Sequence, residues 1–179
     1  EIDTFVDLFC GGCDVSINTR ANSIYANDIN YHVIDIMKAF QQYDVDYLLE
    51  YIDTTINQWC LNKTNEEGYK AFRDYYNKSK NPLDLYILMC FSFNYQFRFN
   101  SNHDYNNPFG KNRSSFNDVM RNNLIIFKGR IEDIHFSSFD FLDFDYDVLK
   151  AGDFIYADPP YLLTCGSYND GKRGFRGWT

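Results

Sequence analysis

Two short β-prone runs near the amino terminus, each released through a turn into a helix-competent segment, restrict this chain more than any other feature. Thr4-Phe5-Val6-Asp7-Leu8-Phe9 ends on Gly11-Gly12, and Asp14-Val15-Ser16-Ile17-Asn18 follows with Asp14 in position to cap a helix. Ser23-Ile24-Tyr25-Ala26 ends at Asn27-Asp28, after which Val33, Ile34, Ile36, Met37 and Phe40 recur at helical spacing. Strands that alternate with helices predict a β-α-β-α unit and a parallel sheet of the α/β class.

From residue 43 to about 89 the periodicity is helical (Tyr47, Leu48, Tyr51, Ile52, Ile56, then Tyr69, Phe72, Tyr75, Tyr76), broken at Asn81-Pro82. Residues 94–100 alternate polar and aromatic side chains, and a polar stretch leads on to Pro108-Phe109-Gly110, which reads as a β-hairpin or a long ordered loop. Ile125-Ile126-Phe127 and Asp153-Phe154-Ile155-Tyr156-Ala157 are the remaining strand candidates. The expected organisation is a core formed by residues 1–40 and 125–179, with residues 41–124 inserted as a separate, mainly helical domain.

The formal charge of −8 argues against a protein that coats nucleic acid, because phosphate binding needs a basic footprint. A local footprint exists: Arg98, Lys111, Arg113, Arg121, Lys128 and Arg130 fall within one stretch with few acids. The 17 Phe and 15 Tyr supply rings that fill a core or stack on bases, and core filling must account for most of them. The 5 cysteines are scattered, which suits free thiols in a cytoplasm. Residues 83–93 form the longest apolar run, interrupted by Asp84 and far below the roughly 20 residues a membrane span needs.

A glycine pair after a strand lets the backbone approach a ligand closely, and an acid at the end of the next strand suits ribose hydroxyls. Asp7-Leu8-Phe9-Cys10-Gly11-Gly12 and Asn27-Asp28 have that arrangement. The loop lacks the three spaced glycines that cradle a pyrophosphate, so a nucleoside without a diphosphate is the better fit. Asp158-Pro159-Pro160-Tyr161 is more specific: its two prolines stiffen the exit from a strand and hold Asp158 and Pro159 extended. A carboxylate and a fixed carbonyl can accept both hydrogens of a delocalised amine such as that of adenine, while Tyr161 stacks on the ring.

In the order glycine motif, Asn-Asp, helical insertion, arginine-bearing hairpin with Pro-Phe-Gly, and Asp-Pro-Pro-Tyr, the chain resembles the Dam-type DNA adenine methyltransferases. These bacterial and phage enzymes methylate adenine in GATC or related sites. The matching blocks are residues 5–12, Ala26-Asn27-Asp28-Ile29, Asn107-Pro108-Phe109-Gly110-Lys111 and Tyr156-Ala157-Asp158-Pro159-Pro160-Tyr161. The resemblance implies a Rossmann-like methyltransferase sheet, incomplete here, with S-adenosylmethionine as cofactor, double-stranded DNA as partner, no metal and no membrane. It also implies a cytoplasmic setting, in a bacterium or in the host of a phage, and a place in restriction-modification.

By the same resemblance, Asp158, Pro159, Pro160 and Tyr161 are catalytic. Asp7, Phe9, Cys10, Gly11 and Gly12 hold the methionine end of the cofactor, Asn27-Asp28 its ribose, and Asp140 with Phe141 its adenine, with Asp158 bordering the same pocket. Arg98 matches the arginine that reads guanine, Phe93 an intercalating aromatic, and Pro108 a neighbour of the target base pair. Asn100 belongs to the same DNA-facing segment, Lys111 and Arg113 are phosphate contacts, and Tyr168 lies near the target base. Solvated-loop roles for the two cations and a core role for Phe93 remain open alternatives.

Family members carry a segment before the first strand, and further helix and strands after the catalytic turn, that have no counterpart in this sequence. The strand at residues 153–157 is therefore expected to have an unpaired edge and an uncovered apolar face, and the isolated chain to be poorly stable and weakly active or inactive. Residues 166–177, glycine-rich and basic, suggest a lid over the base. Three other readings stand beside this one. They are a non-catalytic remnant that binds DNA or cofactor, a redox or zinc protein built on Cys10-Gly11-Gly12-Cys13, and a cytosine amine methyltransferase, in which Ser usually replaces the Asp.

Overall fold

The computed structural model describes residues 2–159. Four strands form one sheet: β1 (Ile2–Asp7), β2 (Ala21–Asn27), β3 (Ile134–Ser137) and β4 (Phe154–Tyr156). Every pairing is parallel, and the spatial order is β3-β2-β1-β4. Register brings Asp7 level with Ala26 on one side and with Tyr156 on the other. The chain thus winds outward from β1 through β2 to β3, then returns to lay β4 on the opposite flank of β1. That reversal puts a topological switch point between β1 and β4, where open α/β sheets form a ligand crevice beyond the strands' carboxyl ends. Thr4 N–H donates to the Asp153 carboxylate (3.0 Å) and fixes the entry of β4 beside β1.

Five helices stand against this sheet: α1 (Tyr31–Gln42), α2 (Val45–Gln58), α3 (Glu66–Ser79), α4 (Pro82–Phe91) and α5 (Asp118–Ile131). The starts of α2 to α5 follow from side-chain capping of otherwise unpaired amides. Asp44 accepts from Tyr47 N–H (2.7 Å), Asn65 from Gly68 N–H (3.0 Å), Asn81 from Leu83 N–H (2.9 Å) and Asn117 from Met120 N–H (3.0 Å). Pro82 occupies the first turn of α4, where its missing N–H costs nothing. The break expected at Asn81-Pro82 is therefore a helix start. With Leu83, Leu85, Ile87, Leu88, Cys90 and Phe91 all buried, α4 is the central post of the helical layer.

One continuous apolar cluster joins Ala26 of β2, Ile34 and Phe40 of α1, Leu48 and Ile52 of α2, Phe72 of α3, α4, Leu124 and Ile131 of α5, and Ile134 of β3. The opposite face of the sheet carries a smaller cluster of Val6, Leu8 and Phe144, with Phe141, Val148 and Leu149 packed on it. Among the described residues β4 pairs with β1 alone, and Phe154 and Ile155 are 50% and 43% exposed. No described helix is long and apolar enough to cross a membrane.

Two local expectations are corrected, and of the two readings of residues 94–110, hairpin or long ordered loop, the loop is the one observed. Ile125-Ile126-Phe127 is not a strand but part of α5, because the Asn117 cap starts a helix that runs through it, and the strand begins instead at Ile134. Asp14 caps no helix: the segment forms only a 3₁₀ turn at Ser16–Asn18, pinned under the sheet by the Ser16 hydroxyl. Residues 92–110 make no regular hairpin, since their arms meet only at two isolated antiparallel bridges, Ser92 with Phe109 and Phe99 with Tyr105.

Candidate functional site

At the carboxyl end of β1 the chain turns sharply. Leu8 N–H donates to the Tyr156 carbonyl (3.0 Å), Cys10 N–H to the Asn27 carbonyl (2.8 Å) and Gly11 N–H to the Asp28 carboxylate (2.9 Å). Gly11 has φ +47°, a left-handed conformation that disfavours any side chain. The bend is thereby held between the ends of β2 and β4. Asp158, two residues beyond β4, emerges on the β4 side of the switch point, so the proline turn and the glycine bend border one crevice.

Asp7 is buried, and one of its carboxylate oxygens accepts from the Ser16 hydroxyl (2.7 Å). Among the described residues the other has no hydrogen-bond partner. Burial pushes its carboxyl above the usual range, the Ser16 hydrogen bond offsets part of that, and the charges of Asp28 and Asp158 push it further up. Asp7 thus feels the charges of two further carboxylates of the crevice. A buried, unpaired acceptor in such a field is suited to a cationic donor.

Asn27 is the staple of the crevice, and its amide is fully engaged. It donates to the carbonyls of Leu8 (3.3 Å) and Phe139 (2.9 Å) and accepts from the Ser137 hydroxyl (2.8 Å) and Phe139 N–H (2.9 Å). One side chain therefore ties the ends of β1, β2 and β3. Asp28 accepts from Gly11 N–H and from Asn30 N–H (2.8 Å), which aims its carboxylate across the bend. The Phe9 and Phe141 rings lie 5.7 Å apart, and Asp140 caps the turn that carries Phe141 by accepting from Leu142 N–H (3.0 Å). Gly12 is exposed beyond the bend. The cofactor set expected from sequence, from Asp7 to Phe141, thus surrounds one end of the sheet.

Cys10 and Cys13 are both buried and reduced. The hydrogen bond with Cys13 and burial push the Cys10 thiol far up, away from the thiolate that redox chemistry or zinc requires. Among the described residues no group of three His, Cys, Asp or Glu is placed to hold a metal ion. The pair serves as packing beneath the glycine bend.

The segment 92–110 projects Phe93, Arg98 and Pro108 into solvent, with Lys111 and Arg113 exposed just beyond it. Asn100 is committed to its own turn, accepting from the Asn102 and Asp104 N–H groups (2.9 Å each). Of the other cations in the basic stretch, Arg121 pairs with Asp53, Lys128 with Glu132 (3.1 Å), and Arg130 donates to Asn18 (3.0 Å). Among the described residues, the cations of this stretch with neither a salt bridge nor a side-chain hydrogen bond are Arg98, Lys111 and Arg113. Pro160, Tyr161 and Tyr168, expected at the base, and residues 166–177 lie outside the described residues.

Several organisers escaped the sequence reading. Asn107, 2% exposed, donates to the carbonyls of Phe93 (3.0 Å) and Gln96 (2.9 Å), holding the loop's arms together. Tyr69 donates to the Asn107 carbonyl (2.9 Å), and Asn77 exchanges two hydrogen bonds with the Tyr105 backbone (3.1 and 2.8 Å), docking the loop on α3. His32 of α1 stacks on Phe99 (centroids 4.0 Å, 10°), joining the loop to the helix that follows Asp28. Gly110 is required by close approach: a Cβ there would lie 2.2 Å from the Ser114 hydroxyl and 2.7 Å from the Ser92 carbonyl. Asn107 and Gly110 stood within a recognised motif, but nothing in the sequence distinguished their packing roles from DNA contact.

A parallel sheet with an acid-lined switch point, flanked by a helical layer, has the architecture of an incomplete Rossmann-like methyltransferase domain. Residues 1–174 match the D12 class N6 adenine-specific DNA methyltransferase family, and the chain belongs to that family. It is 49% identical over 180 residues to the type II methyltransferase M.FokI of Planomicrobium okeanokoites, and 50% identical over 180 residues to the modification methylase StsI of Streptococcus sanguinis. Each match covers 99% of this chain and 28% of the relative. The DNA adenine methylase of Escherichia coli K12 is 24% identical over 174 residues, covering 93% of this chain and 59% of that protein. The chain thus spans little more than a quarter of the first two relatives.

Proposed function

We propose that the protein containing this chain transfers a methyl group from S-adenosylmethionine to the exocyclic amine of adenine in a short duplex DNA site, GATC or a related one. Family membership supports the reaction class, and the names of the relatives support a modification role within a type II restriction-modification system. The observation that carries the reading is the convergence of Asp7, the Gly11 bend, Asp28 and Asp158 at the switch point.

The chemistry of the donor set fits the cofactor. The unpaired Asp7 oxygen suits an α-ammonium beside Phe9 and the glycine bend, the Asp28 carboxylate suits ribose hydroxyls, and Phe141 offers an aromatic face to an adenine ring, with the Asp140 carboxylate next to it. When bound, S-adenosylmethionine supplies a sulfonium-activated methyl group. Asp158 and the Pro159 carbonyl accept the two hydrogens of the target amine, which localises its lone pair on nitrogen. Tyr161 stacks on the extruded base, offsetting part of the few kcal/mol that flipping costs. Arg98 reads guanine in the major groove, Phe93 and Pro108 border the opened base pair, and Lys111 and Arg113 hold phosphates. The inserted domain of residues 41–124 is the recognition unit in this scheme.

The test is transfer of tritiated methyl to duplex DNA by the full-length protein and its Asp158→Ala variant, followed by digestion to nucleosides. The expected result is label in N6-methyladenine and a fall of about 10²-fold or more in the variant, the scale on which loss of a transition-state hydrogen bond acts. Equal transfer by both proteins, or label in cytosine, would remove Asp158 or adenine from the scheme.

A further inference from the structure

A cleft of about 330 Å³ opens between α2, the turn at Trp59, α3 and the start of α4, apart from the sheet crevice and the projecting loop. Its walls are aromatic: Tyr47 and Tyr51 from one turn of α2, with centroids 6.2 Å apart, face Trp59 and Tyr75, with centroids 5.3 Å apart. Tyr47 and Tyr75 are 42% and 49% exposed, so rings that could have been buried stand open to the cleft. Tyr75 leaves α3 on a neighbouring face to Tyr69 and Tyr76, which hold the projecting loop, and the proposed DNA contacts make no use of it.

The polar groups of the cleft are of one sign. Glu50 is exposed at its rim, and Asp84 is buried where the cleft meets α4, accepting from the Tyr51 hydroxyl (2.8 Å). Burial pushes the Asp84 carboxyl up, so it prefers a donor beside it. No lysine or arginine is among the lining residues, although the chain carries 17 of them. Aromatic faces with negative quadrupoles, two carboxylates and no competing cation attract a positive group. Ring faces beside a carboxylate favour a planar guanidinium over a hydrated ammonium, because a guanidinium stacks on a ring and pairs with a carboxylate edge.

We propose that this cleft is a binding site for an arginine side chain presented by a partner protein segment, stacked between the Tyr47–Tyr51 and Trp59–Tyr75 walls and paired with Glu50. The site is independent of the methyl-transfer chemistry, so either assignment can fail without the other. Its size, at the lower end of ligand cavities, suits one side chain and not an extended peptide.

Trp59 reports directly. In the full-length protein with its other tryptophans, Trp178 among them, replaced by Phe, its fluorescence can be titrated with a blocked Gly-Arg-Gly peptide, the citrulline analogue and spermidine. Saturable quenching by the arginine peptide is expected, at least about five-fold weaker in Glu50→Gln and in Tyr75→Ala, the scale of one partly desolvated cation–π contact. Far-UV circular dichroism checks that both variants keep their helices, and Glu50, being exposed, can be changed without touching the core. An equal response to the neutral citrulline peptide, tighter binding of spermidine than of the arginine peptide, or no response to millimolar peptide would each overturn the proposal.

Discussion

Asn107 offers the sharpest test of how the projecting loop is built. Its side chain is 2% exposed and donates to two carbonyls, those of Phe93 (3.0 Å) and Gln96 (2.9 Å). The Gln96 carbonyl also accepts from the Tyr105 hydroxyl (3.1 Å), so truncation costs it only one of two partners. The Phe93 carbonyl has no such second donor among the hydrogen bonds found. Loss of the shared bond is worth about 1 kcal/mol, and an orphaned buried carbonyl about 1–3 kcal/mol. Asn107→Ala should therefore destabilise the protein by about 2–4 kcal/mol, measured by urea denaturation with an unchanged m-value. Asn107→Asp, which turns acceptors toward both carbonyls, should cost more than the alanine. Because the arms carrying Phe93 and Arg98 then lose their common tie, duplex affinity measured by fluorescence anisotropy should fall by roughly tenfold or more, a loss of about 1.4 kcal/mol. A stability loss below about 0.5 kcal/mol, the range of an ordinary surface change, would refute the view that Asn107 organises the loop.

Other perturbations separate structure from function. Arg98→Ala should weaken DNA binding by about 1–3 kcal/mol and relax selectivity at one base pair in a competition assay, leaving the melting temperature unchanged, because the side chain is exposed. Gly110→Ala should lower stability by at least about 2 kcal/mol in thermal denaturation, since a Cβ at 2.7 Å from a carbonyl forces the backbone to move. Burial, with His103 and Lys80 nearby, lowers the His32 pKa from 6.5 to about 4. The unfolded chain therefore binds the extra proton in that window, and stability should fall as pH drops from about 6.5 toward 4. Replacing His32 with Gln should flatten this part of the pH–stability curve, and an unchanged slope would assign acid sensitivity elsewhere.

Local rules made much of the molecule legible. The runs that open at residues 4 and 23 lie in the strands Ile2–Asp7 and Ala21–Asn27, the periodic segments after residue 33 are helices, and Pro82 marks a helix boundary, because alternation, helical spacing and the lack of a proline N–H act within a few residues. The failures were local ambiguities settled at a distance. Ile125-Ile126-Phe127 has β-prone composition, yet the Asn117 cap and the burial of Leu124 and Ile131 against the neighbouring helices made it α5.

The sequence alone determined which chemistry is present: a glycine bend, acids at strand ends, and an acid held before two prolines. Strand order belongs to the tertiary structure, and only the return of β4 to the far side of β1 opened a switch point where Asp7 lies within the fields of Asp28 and Asp158. Only folding, likewise, showed that Asn27 and Asn107 spend their amides on the protein itself. An asparagine reads the same in sequence whether it faces a ligand or staples two loops. The difference lies in which carbonyls approach it, and these come from residues up to 112 positions away.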